Sequence, residues 1–165
     1  MISVVLDDLA FVEVDAVIRP ADERLSPVTP VGTRLDAQAG PTFAAQRRVA
    51  TPLQNGTAVV TGGGDLTAPF VLHVVIREDG VAASGDLIRR ALVSAWQRAG
   101  DWGLTTIAAP LVGAGAGQLG VEESAALMAD TFAAPGRLAL PSELQIVVEH
   151  EAERAMVDAV IRSRT

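Results

Sequence analysis

The chain has 165 residues, 49% of them hydrophobic and 20% charged, with a formal net charge of −7. That composition can bury a core and is not that of a disordered tail. Cysteine is absent and all 13 basic residues are arginine, which excludes thiol nucleophiles, disulfides, Cys-ligated metals, Schiff-base chemistry and the lysine of a Walker A loop.

Ile2–Leu6 is a short apolar run, followed at once by Asp7 and Asp8. Residues 14–18 form a second run beside the acidic pair Glu13 and Asp15. Residues 34–39 read as a short helix stopped by Gly40. Residues 57–61 and 70–76 are continuous and β-branched, the pattern of strands buried on both faces, and residues 105–109 and 144–148 repeat it. Residues 84–99 carry Leu87, Ile88, Ala91, Leu92, Ala95 and Trp96 at helical spacing, with Gly85 and Asp86 at the start and Gly100 at the end. Val121–Phe132 is a helix with glutamates in its first turn, and residues 150–161 place Ala152, Ala155, Met156, Ala159 and Val160 on one helical face.

Six strands with interspersed helices predict one α/β domain over residues 1–165. The sheet should be parallel where helices cross over, and antiparallel among the early strands, which short loops join. The first residues lack a basic n-region, and no run reaches the ~20 apolar residues of a membrane span, so a cytoplasmic location without membrane contact is expected. An acidic chain repels phosphate polymers, so no polymeric nucleic acid partner is expected. A small phosphorylated ligand remains possible, because backbone N–H groups bind phosphate without basic side chains.

The segment Ala109-Pro110-Leu111-Val112-Gly113-Ala114-Gly115-Ala116-Gly117-Gln118-Leu119-Gly120 follows a buried strand and precedes a helix that begins with Glu122 and Glu123. Strand, Gly-rich loop and helix N-terminus form an arrangement that binds phosphate. A tight strand–helix turn needing small residues is the plain alternative. The spacing G-x-G-x-G does not fit the dinucleotide fingerprint, which disfavours a Rossmann dehydrogenase. Residues 18–32 leave the second strand at its C-terminal end, where open α/β sheets bind ligands. Pro27 and Pro30 preset that loop, though a solvated loop reads equally well. Asp7 and Asp8 can accept from a ligand amine or simply make a surface turn. Residues 61–65, Thr-Gly-Gly-Gly-Asp, connect two strands. His73 lies inside an apolar strand and reads as a core histidine bonded to backbone. Trp96 belongs to a core stripe, and Trp102 should cap that helix against the sheet. Two histidines, His73 and His150, are too few for a His-rich metal site, and no metal or cofactor is called for.

In order and context these pieces resemble the macro domain family over nearly the whole chain. Asp7-Asp8-Leu9-Ala10 stands where that family has a Gly-Asp-Ile-Thr-like turn. Val14-Asp15-Ala16-Val17-Ile18-Arg19-Pro20-Ala21-Asp22 stands for Val-Asp-Ala-Ile-Val-Asn-Ala-Ala-Asn. Ala39-Gly40-Pro41, Gly56-Thr57-Ala58-Val59-Val60-Thr61-Gly62, Val71-Leu72-His73 and Pro110-Leu111-Val112-Gly113-Ala114-Gly115-Ala116-Gly117 follow in the family order.

The resemblance implies a three-layer α/β/α sandwich around a mixed six-stranded sheet, with a cleft for ADP-ribose or a related ADP-ribosyl group. By position it implies that Asp8 accepts from the adenine amine beside Leu9, and that Val112, Gly113, Ala114, Gly115, Ala116 and Gly117 wrap the diphosphate. Arg19, Ala21 and Asp22 would be ligand-binding, with Val31 in the first loop, and Asp22 would face the distal ribose and be the catalytic candidate. Arg19 and Asp22 replace the two asparagines of the family, and the only asparagine, Asn55, lies outside the motif. Ser26-Pro27-Val28-Thr29-Pro30-Val31 replaces a Gly-Gly-Gly-Val loop, and proline has no N–H to give a phosphate. Three functions stay open: an ADP-ribose binding module, a hydrolase of ADP-ribosyl derivatives, and a macro-like scaffold for a protein or another nucleotide.

Overall fold

A computed structural model describes residues 1–77, 84–114 and 119–164. In chain order the elements are β1 (Ile2–Leu6), β2 (Ala16–Asp22), α1 (Pro30–Gln46), β3 (Ala58–Gly62), β4 (Phe70–Arg77), α2 (Gly85–Asp101), β5 (Thr106–Ala109), α3 (Val121–Phe132), β6 (Glu143–Val148) and α4 (Glu151–Arg162). The strands form a six-stranded sheet in the order β1-β6-β5-β2-β4-β3.

Period-two alternation splits the strand side chains between two cores. Ala16 and Ile18 of β2, Leu72, Val74 and Ile76 of β4, Ile107 of β5 and Ile146 of β6 face a large core shared with α2, α3 and α4. Val17, Val71, Ala108 and Val147 face the opposite way, onto Leu35, Ala39 and Phe43 of α1. Three layers result, as the resemblance implies, with α1 alone on one face. The stripe expected on α2 is fully buried, Trp96 included, and Ser84 caps that helix by accepting from the Leu87 N–H at 3.2 Å. Among the described residues no helix is long and apolar enough to cross a membrane.

The sheet is mixed, but differently from the expectation drawn from short loops. Only β3 runs antiparallel, against β4, while β1 pairs parallel with β6 rather than with an early strand. As an edge strand β3 is mostly half-buried, not covered on both faces. Two element lengths also differ. The second strand begins at Ala16 and runs on through Arg19 and Pro20 to Asp22. The short helix expected at 34–39 is one half of α1, which breaks at Gly40 and resumes. Gly40 sits at φ 82°, and Pro41 restarts the helix at a position whose N–H is not needed. The Asp65 N–H satisfies the Ala39 carbonyl at the break, at 2.9 Å. Trp102 caps α2 as expected, its N–H bonding the Arg98 carbonyl at 3.1 Å, and its half-exposed ring meets Phe70 of β4 edge-on, 5.5 Å between ring centroids.

Candidate functional site

The β2–β5 ladder consists of Ala16↔Ile107 and Val17↔Ala108, so β2 continues alongside β4 while β5 ends at Ala109. From β2 the chain crosses towards β4 and β3, and from β5 it crosses to β6 on the other side. Adjacent parallel strands whose connections leave in opposite directions define a switch point, where a crevice opens at their C-terminal ends.

Two adjoining hollows occupy that end of the sheet. The first, about 340 Å³, is walled by Leu6, Asp7, Asp8, Leu9 and Leu35. The second, about 310 Å³, is walled by Pro20, Thr29, Pro30, Leu111, Ala114, His150 and Glu153. Val31, Arg34, Pro110, Val147 and Glu149 border both, so they form one cleft with a shared middle. Its charges are unevenly placed. Asp7, Asp8 and Glu149 edge the first hollow, Glu149 and Glu153 the second, and Arg34 is the only arginine among the described residues that line either, with His150 beside it in the second. Arg34, on the first turn and a half of α1, forms an ion pair with Glu149, just past β6. One Asp8 oxygen accepts from the Ala10 N–H at 2.9 Å, which holds the carboxylate at the rim.

Of the residues expected to meet a ligand, Asp8, Leu9, Val31 and Ala114 line the cleft. Val112 and Gly113 are buried beneath its floor. Gly113 has φ +89°, and a Cβ there would lie 2.5 Å from Ile88 Cδ1, so the turn after β5 demands glycine. Ser124 of α3 donates to the Val112 carbonyl at 2.6 Å and ties that turn to the helix. Gly115, Ala116 and Gly117 lie outside the described residues.

Arg19, Ala21 and Asp22 are placed away from the cleft lining. Ala21 packs with Leu25 and Val75. Asp22 Oδ1 accepts the N–H groups of Arg24 and Ser26, both at 2.9 Å, and so shapes its own turn. Arg19 lies under α1 with no exposed surface. Its Nε and Nη2 donate to the two Asp36 oxygens at 2.7 Å, and its Nη1 donates to the Leu25 carbonyl at 2.8 Å. Register sets Arg19 opposite His73, and the same Nη1 reaches His73 Nδ1 at 3.1 Å. An arginine can only donate, so Nδ1 is the accepting nitrogen and Nε2 carries the proton, donating to Thr61 Oγ1 at 2.8 Å. His73 is the core histidine expected, though its partners are side chains, not backbone. Burial, then the charges of Arg19 and Arg47, push its pKa down to about 3.

Residue patterns do not point to Arg34 and Glu149. Two signals could have found them. Arg34 is three residues beyond Val31 on a helix, hence on the same face, and Glu149 directly follows the C-terminal end of a parallel strand.

A family model described as Macro domain matches residues 18–128. The chain belongs to the macro domain family. A macro domain-containing protein of Caldanaerobacter subterraneus subsp. tengcongensis is 31% identical over 119 residues, covering 68% of each chain. An uncharacterised protein of Mycobacterium tuberculosis is 29% identical over 157 residues, which is 93% of this chain but 43% of that protein. The chain thus spans less than half the length of its mycobacterial relatives. Among solved structures, the macrodomain of Oceanobacillus iheyensis superposes with a TM-score of 0.82 at 18% identity, over 98% of this chain and 91% of that one, in a mutant form with ADPR. The Trypanosoma brucei macrodomain in complex with ADP gives a TM-score of 0.79 at 19% identity, over 97% and 68%. At these identities the likeness is one of macro fold.

Proposed function

We propose that the cleft between the ends of β2 and β5 binds ADP-ribose or a closely related nucleoside diphosphate. The observation that carries this reading is the charge layout of the two joined hollows. Asp7 and Asp8 at the outer end of the first hollow suit the exocyclic amine of adenine, and Arg34 at the shared middle suits a diphosphate even with Glu149 beside it and Glu153 in the second hollow. The combined volume suits a ligand that extends through both hollows. Solved macrodomains with ADPR and with ADP support the same ligand class. Binding, rather than hydrolysis, is the function the geometry favours, because the Asp22 carboxylate serves its own turn.

Titration calorimetry with ADP-ribose tests the reading. Heat that saturates at micromolar to low millimolar ligand is expected, and folded protein that gives none would overturn it. Asp8→Ala removes the rim acceptor and should weaken ADP-ribose by about tenfold, the worth of one hydrogen bond to a charged group.

A further inference from the structure

Three features of the cleft concern how it could hold an anion. First, the start of α1 has few amides to offer. Pro30 has no N–H, the Gly32 N–H is taken by Thr29 Oγ1 at 3.0 Å, and the Thr33 N–H bonds the Thr29 carbonyl at 3.1 Å. Only the Val31 N–H is left from that turn. Second, carboxylates dominate the rim, which opposes an anion. Third, Arg34 projects from the same helix face as Val31 into the middle of the cleft, where it meets Glu149 from the opposite wall.

We infer that Arg34 is the anion-binding side chain of this cleft, and that Glu149 holds it as a clasp until a diphosphate displaces the carboxylate. The inference rests on the diphosphate reading above and adds the residue that reads the charge. The exchange is chemically balanced: one oxyanion replaces another on the same guanidinium. Arg34 and Glu149 are 58% and 44% exposed, and an ion pair that wet contributes little, so opening it costs little. The diphosphate of ADP-ribose offers the guanidinium fork a bidentate partner and carries two charges to the one of Glu149. A released Glu149 returns to solvent at the cleft edge. Amides lost from a proline-bearing loop are thus replaced by one mobile cation.

The test is calorimetry with two probes, ADP-ribose and inorganic pyrophosphate, on the parent chain, Arg34→Gln, Arg34→Lys, Glu149→Gln and Asp8→Ala. Thermal unfolding serves as the folding control. Arg34→Gln should weaken both probes by about tenfold or more, the worth of charge-assisted bonds. Arg34→Lys should recover part of that loss, since it keeps the charge but not the fork. Glu149→Gln frees the arginine and should tighten both probes about two- to fivefold, as an exposed pair allows. Asp8→Ala should weaken ADP-ribose alone. Unchanged affinity in Arg34→Gln, or weaker binding in Glu149→Gln, would overturn the clasp. Pyrophosphate binding that depends on Arg34, in a chain blind to ADP-ribose, would keep the clasp and overturn the adenine reading. A chain that binds neither probe overturns both.

Discussion

His73 is buried, uncharged and held between Arg19 and Thr61, with its ring stacked on Phe43 at 5.6 Å. Its pKa is about 3 when folded and returns to 6.5 when the chain unfolds. As pH falls below 6.5, the unfolded chain takes up this proton first. The stability linked to His73 is therefore whole above about 6.5 and is lost as pH falls towards about 3, at up to about 1.4 kcal/mol per pH unit. Denaturant titrations between pH 7 and pH 5, above the main carboxylate range, should show His73→Gln losing stability less steeply than the parent. Equal slopes would place the acid sensitivity elsewhere. The neighbouring Arg19–Asp36 pair also explains how an arginine sits inside a strand. Its desolvation is offset by a bidentate partner and two further acceptors, and removing Asp36 would leave a fully buried guanidinium without its counter-charge, whereas Asp36 without Arg19 keeps Arg47 at 3.6 Å.

Element by element, the strands were legible wherever they are continuous and apolar, because a buried parallel strand has no polar face to blur its pattern. The ends were not. Arg19-Pro20 reads as the start of a loop, yet Asp36 neutralises the arginine from a helix 17 residues away. Pro20 is tolerated because β2 has already parted from β5. Gly40-Pro41 reads as a helix stop, yet tertiary contacts with Asp65 restart the helix beyond it. Sequence reading of the site reached Asp8, Leu9, Val31 and Ala114. It missed Arg34–Glu149, since a contact between residues 115 positions apart leaves no local trace. The break in α1 itself can be tested. Gly40→Ala forces an L side chain to φ 82°, with its Cβ 2.5 Å from the Asp65 carboxylate. We expect a loss of about 1–3 kcal/mol, read as a fall of several degrees in Tm. A variant as stable as the parent would show that the kink relaxes freely.

For the molecule as a whole, a net charge of −7 works against any anionic ligand at long range, whereas the proposed clasp would act at short range through Arg34. Salt screens the first effect strongly and the second weakly. ADP-ribose affinity should then fall by less than about tenfold between 50 and 500 mM salt, as about one phosphate contact implies, and single-stranded DNA should show no binding at either. A steep salt dependence, or retention of DNA, would point to a wider basic surface than Arg34 supplies.

The strand order has a consequence for how the chain comes together. Among the described residues β1 pairs only with β6, Ile2 opposite Leu144, so a strand early in this sequence has to wait for one far along it. Until then its apolar face has no sheet to join, and its closure carries the loop entropy of nearly everything between. β2, β3 and β4 can assemble with α1 much earlier, through pairings close in sequence. Topology alone would then favour early formation of the wall built from β2 and α1. The wall that carries Glu149 depends on β6, so the ion pair across the cleft is expected among the later contacts of folding, as its separation of 115 positions implies.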